Sequence, residues 1–149
     1  MRAVVQRVSE SKVKVEGNIV GEISKGLLVF LGVGEDDNND DLEYMVEKIL
    51  GLRIFGDEED KMNLSLLDIR GEILVVSQFT LYGDVRKGRR PSFSTSASPE
   101  IAESLYNQFI EKCKERGIET KKGIFGANME VSLKNQGPVT ILIDSKKTF

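Results

Sequence analysis

The run Leu27-Leu28-Val29-Phe30-Leu31 contains no polar residue and follows a Lys25-Gly26 turn, which makes it the tightest constraint on the fold. Five apolar residues are too few for a buried helix, and they fit a strand covered on both faces. A strand of that kind requires neighbours on each side and further elements above and below. The segments before it meet part of that need, because Ala3 to Val8, Lys12 to Glu16 and Ile19 to Ser24 alternate valine or isoleucine with polar residues, with Gly17-Asn18 as a turn. That period-two pattern predicts half-buried strands, so the first third is expected to be a β-meander.

Helical periodicity appears twice. Leu42, Met45, Val46, Ile49 and Leu50 fall on one stripe, with Asn38 or Asn39 as the cap, and Gly51 lies near the end. Ser98-Pro99-Glu100 is a strong helix start, after which Ile101, Leu105, Phe109 and Cys113 repeat every four residues until Gly117. Between them, Arg53 to Phe55 predicts a short strand, and Leu64 to Ile69 with Glu72 to Leu81 predict a hairpin about Arg70-Gly71. Ile118 to Lys122, Met129 to Leu133 and Val139 to Ile143 are expected to close the fold. With 149 residues and no internal repeat or linker, residues 1–149 are expected to form one domain.

Composition narrows the chemistry. The chain has no histidine and a single cysteine, Cys113, so neither a disulfide nor a common zinc ligand set is available, and no metal or cofactor is expected. Asp36, Asp37, Asp40 and Asp41 lack the order of a calcium loop and read as a solvated helix entrance. A formal net charge of −3 argues against coating nucleic acid by bulk electrostatics. No apolar stretch approaches the ~20 residues of a membrane helix. Met1 to Arg7 lacks the apolar core of a secretory signal, so a cytoplasmic, membrane-free protein is expected.

Three segments offer chemistry. Ser77-Gln78-Phe79-Thr80-Leu81 reads either as a strand with a polar face or as a strand end whose main-chain N–H groups meet a developing oxyanion. Thr80 would then organise water or attack directly, although no histidine is available to activate it. Gly137-Pro138 reads either as an edge or turn feature or as a rigid backbone piece that a ligand approaches closely. Arg86-Lys87-Gly88-Arg89-Arg90 reads either as a solvated loop or as a set of phosphate contacts.

In these segments the chain closely resembles the D-aminoacyl-tRNA deacylases, also called D-tyrosyl-tRNA deacylases. The resemblance runs through Met1-Arg2-Ala3-Val4-Val5-Gln6-Arg7-Val8, Ser77 to Leu81, Arg90-Pro91-Ser92-Phe93, Gly123 with Phe125-Gly126-Ala127 and Met129, and Asn135 with Gly137-Pro138-Val139-Thr140. Gln136 stands where the family often has an acidic residue, and Arg89 where a smaller polar residue is common. The resemblance implies a single-domain α/β fold with mixed β-sheets or a partial barrel, two main helices packed on one side, and a homodimer. It implies hydrolysis of the ester between a D-amino acid and the terminal ribose of tRNA, with Ser77, Gln78 and Thr80 catalytic and Phe79 and Met129 binding substrate. The Gly137-Pro138 peptide would be cis and would enter the partner's site. Arg86, Lys87, Arg89 and Arg90 would contact tRNA phosphates.

Backbone groups that hold the α-amine and fill the space of an L side chain would reject L-substrates while ignoring the D side chain, and glycyl-tRNA should pass the same filter. Two other functions fit the residues: a non-catalytic RNA-binding module using the basic loop with Phe79 or Phe93, and an editing domain for L-amino acids.

Overall fold

The computed structural model describes residues 1–149. Strands β1 (Arg2–Val15), β2 (Asn18–Ile23) and β3 (Gly26–Gly32) form the expected meander, with β1 running unbroken where two strands were expected. One edge of β1 is shared, Arg2 to Val8 pairing with β3 and Ser11 to Val15 with β2. Helix α1 (Asn39–Gly51) follows, its Asn38 side chain accepting from the Asp40 and Asp41 N–H groups while Asp41 reaches back to the Asn38 N–H. A small hairpin, β4 (Phe55–Gly56) with β5 (Met62–Leu64), leads to β6 (Glu72–Ser77). Helix α2 (Pro99–Glu115), β7 (Glu119–Lys122) and β8 (Glu130–Asp144) complete the chain.

The expected hairpin between Leu64 to Ile69 and Glu72 to Leu81 is corrected. Strand β5 ends at Leu64, and Ser65 and Asp68 hold the following turn by reciprocal side-chain to N–H bonds of 2.8 and 3.3 Å. Strand β6 instead pairs in parallel with β3 on one side and β7 on the other, so α1 and α2 serve as crossovers. That burial on both faces is what the apolar run of β3 requires. The two closing strands expected at Met129 to Leu133 and Val139 to Ile143 are one strand, β8, along the free edge of β1.

The large core lies between the sheet and the two helices, with Met45, Phe109 and Cys113 fully buried as their stripes predict. A smaller core of Val8, Val13, Ile23, Leu28, Leu74 and Val76 fills the other face, where the sheet curls on itself. Curling brings β2 from one margin over β7 at the other. There Gly21 is needed for close approach, since a Cβ would come 2.5 Å from the Lys122 carbonyl oxygen. The result is a partial barrel with two helices on its outer face, the α/β architecture expected. No helix is long and apolar enough to cross a membrane.

The acidic helix entrance is not wholly solvated. The Asp37 side chain is only 1% exposed and takes the Met1 amino group at 2.6 Å, while Asp41 pairs with Lys146 at 2.9 Å and accepts from Ser145 at 2.7 Å. Burial disfavours the Asp41 charge, yet the Ser145 and Lys146 hydrogen bonds outweigh it and bring the carboxyl down to about 2.

Candidate active site

The three parallel strands β3, β6 and β7 end on the same side, and a cavity of about 520 Å³ opens beyond them. Crevices at the carboxyl ends of parallel strands are where α/β sheets usually bind ligands. Its walls come from Leu31 and Val33 after β3, Ser77 to Phe79 after β6, Gly126 to Met129 after β7, and the first turns of α2. Tyr106 is the one ionisable side chain among them, and its hydroxyl donates to the Val75 carbonyl at 2.9 Å. Burial pushes its pKa up, so it remains neutral. The cavity therefore contains no carboxylate, amine or imidazole able to act as a base at neutral pH.

Strand β6 stops at Ser77 and the chain tightens into a 3₁₀ turn, Phe79–Tyr82, rather than continuing as a strand to Leu81. The Gln78 N–H, expected among the oxyanion donors, is committed to the Leu31 carbonyl at 2.9 Å. The next two N–H groups, those of Phe79 and Thr80, open the turn and have no acceptor within the chain. Gln78 turns its side-chain amide to the Thr80 hydroxyl. Thr80 is exposed and does not line the cavity, and the one side chain bonded to its hydroxyl is the Gln78 amide. Phe79, 56% exposed, stands edge-on to Phe93 with ring centres 5.0 Å apart, and Met129 also lines the cavity.

Gly137-Pro138 is cis, exposed and outside this cavity. Along β1 and β8, Gln6 pairs with Thr140 and Val8 with Asn135, so Gln136 to Val139 face Arg7 alone, with Gln136 to Pro138 exposed and Val139 turned into the core. Two side chains hold this outward bulge. Arg7 donates to the Gln136 carbonyl at 2.8 Å and the Ile54 carbonyl at 2.6 Å. Asn135 accepts from the Val139 N–H at 2.7 Å and donates to the Val139 carbonyl and the Thr140 hydroxyl, each at 3.1 Å. Gly137 has φ +141, and a Cβ there would lie 2.9 Å from Arg7 Nη2, so no other residue fits without strain. The supporting role of Arg7 was missed; its only sequence signal is a cation inside a valine-rich strand.

Of the four cations in the basic loop, Arg86 is committed to Asp84 through bonds of 2.9 and 2.7 Å, which hold the Asp84 carboxyl down at about 2. Lys87, Arg89 and Arg90 are exposed and without a carboxylate partner. The loop is closed by paired backbone bonds between Asp84 and Ser92, directly before Phe93. It therefore hangs beside the aromatic rim of the cavity.

A family model described as D-Tyr-tRNA(Tyr) deacylase matches residues 4–144, nearly the whole chain. The chain belongs to the D-Tyr-tRNA(Tyr) deacylase family. Relatives within the deacylase family include proteins named D-aminoacyl-tRNA deacylase from Thermosipho africanus (strain TCF52B) and Clostridioides difficile (strain 630). Each is 64% identical over the full length of both chains. Among solved structures, one named c-Myc DNA Unwinding Element Binding Protein superposes with a TM-score of 0.92 at 45% identity, covering 97% of this chain and 98% of the other. Another, titled as a probable eukaryotic D-amino acid tRNA deacylase, shares the fold with a TM-score of 0.82 at 21% identity, covering 95% and 97%. The deacylase family thus accounts for the fold and for the segments that surround the cavity.

Proposed function

We propose that this protein hydrolyses the ester of D-aminoacyl-tRNA in the cytoplasm, releasing the free D-amino acid and tRNA with its 3′-hydroxyl restored. The observation that carries the reading is a cavity without an ionised side chain, beside which the 3₁₀ turn leaves the Phe79 and Thr80 N–H groups without acceptors in the chain. Such a site stabilises a developing oxyanion through fixed backbone dipoles, a role that mutagenesis elsewhere values at about 10²–10³ in rate per donor. Water adds to the ester carbonyl carbon and the bond to the 3′-oxygen breaks. The proton released by water reaches that leaving oxygen with the help of the neighbouring ribose 2′-hydroxyl. Ser77 and Gln78 shape the catalytic end, Phe79 and Met129 flank the terminal nucleotide, and Thr80 organises the turn through Gln78. The alternative, a threonyl intermediate, lacks a base bonded to Thr80.

Chirality is read by Gly137 and Pro138 of a second copy. Their protruding bulge supports that reading, as does a cross-strand row of the exposed Leu142 with the half-buried Val4 and Phe30 that a partner would cover. Backbone groups there reject an L side chain and ignore a D one, so glycyl-tRNA is also a substrate. Lys87, Arg89 and Arg90 meet the phosphates of the acceptor end. The decisive experiment follows ester loss from D-tyrosyl-, L-tyrosyl- and glycyl-tRNA. Hydrolysis of the first and third is expected, with Thr80→Ala retaining substantial turnover and a terminal 2′-deoxy substrate inert. Binding without hydrolysis would leave an RNA-binding module, L-selective hydrolysis would mean an editing domain, and an inert Thr80→Ala with a competent 2′-deoxy substrate would make threonine the nucleophile.

A further inference from the structure

The turn that presents the Phe79 and Thr80 N–H groups is a single turn of 3₁₀ helix, about 6–8 Å long at ~2 Å per residue. Its far end is held by one side chain from the first strand. Arg2 donates from Nη1 to the Leu81 carbonyl at 3.1 Å, pairs through Nε with Asp144 at 3.3 Å, and lies over the Tyr82 ring at 4.6 Å from its centre. Asp144 is only 3% exposed and is itself fixed by the Lys146 N–H at 2.8 Å and the Thr148 hydroxyl. Tyr82 is buried against Gly32 and Gly34, with its hydroxyl directed to Asp37 at 3.4 Å. The guanidinium thus joins the carbonyl end of the turn to a buried acid and to a buried ring at once.

We infer that Arg2 is a positioning residue for hydrolysis, clamping the 3₁₀ turn at Leu81 so that the N–H groups at its opposite end keep a fixed direction. This rests on the deacylase reading of that turn. Carbonyls at the end of a helical turn lack intrahelical donors, so without Arg2 the Leu81 carbonyl is released to solvent and the turn is free to rotate. A unit this short has no other length over which to dissipate the change. Lysine cannot replace the clamp, because a single ammonium cannot hold Leu81 and Asp144 in a planar fork while stacking on Tyr82.

The test combines two readouts on the full chain carrying Arg2→Met or Arg2→Lys. Native-state amide exchange is measured at Leu81 and Gly83, whose N–H groups close the turn on Gln78 and Thr80, and at Val75 and Val76 in β6 as controls. D-tyrosyl-tRNA hydrolysis gives kcat and KM separately. For Arg2→Met the expected result is exchange at least about tenfold faster at Leu81 and Gly83 with the controls unchanged, and kcat reduced at least about tenfold with KM within about threefold. Arg2→Lys is expected to recover the melting temperature of the native protein but not its kcat. Unchanged exchange in the turn, a kcat within about twofold of native, or faster exchange throughout β6 would each overturn the inference. Failure of both variants to fold would also overturn it, making Arg2 a general structural residue. If the native protein itself leaves D-tyrosyl-tRNA intact, the deacylase reading falls and the exchange pattern alone decides the clamp.

Discussion

Asp41 is a carboxylate whose chemistry is set from the far end of the chain. Its pKa lies near 2 against an ordinary 3.8, so the stabilisation it lends is complete above pH 4 and disappears as pH falls through 2. The span corresponds to about 2 kcal/mol. Asp41→Asn should therefore remove part of the rise in stability between pH 2 and 4, leaving the share due to the other lowered carboxylates, Asp57, Asp68, Asp84 and Asp144, the last of which is held down against its burial by Thr148, Lys146 and Arg2. Urea midpoints across that range measure it, and an unaltered slope would show that Asp41 is solvated after all. In the sequence Asp37 and Asp41 are indistinguishable from Asp36 and Asp40, because nothing local reveals that Ser145 and Lys146 return to cover two of the four. Cys113 and Met45 were legible for the opposite reason: their burial follows from the periodicity of their own helices.

At the scale of elements, the bulge opposite Arg7 is the most consequential departure from regular pairing. Asn135 takes the place of a backbone neighbour for Val139, holding both its N–H and its carbonyl, and adds a third hydrogen bond to the Thr140 hydroxyl. Asn135→Ala should lower stability by about 1–2 kcal/mol and, by loosening Gly137-Pro138, reduce the preference for D- over L-tyrosyl-tRNA at least about tenfold. Thermal melts and paired hydrolysis rates test this, and an intact preference would detach Asn135 from chiral selection. The identity of most elements was legible from alternation and helical stripes. Their partners were not. Glu72 to Ser77 has the same residues whether it returns beside Leu64 or joins β3 in parallel, and only the α1 crossover and the turn held by Ser65 and Asp68 decide between them. The motif at Ser77 was visible as polar residues after an apolar run, but the commitment of the Gln78 N–H to Leu31 depends on that same parallel pairing.

For the whole molecule, the row Leu142, Val4 and Phe30 is the test of assembly. Leu142 is 60% exposed and sits on the strand that carries Gly137-Pro138. Leu142→Glu should convert a dimer to a monomer in sedimentation and cut hydrolysis at least about tenfold, whereas a fully active monomer would remove the partner from the site. The pairing of β1 with β8 carries a different consequence. Residues 2–14 find one entire edge partner in residues 130–144, the last strand to be made. During synthesis β1 must wait with that edge unpaired, the condition under which strands recruit foreign chains. The same ladder that unites the ends of the fold thus places its greatest exposure to aggregation in the interval before translation reaches the final strand.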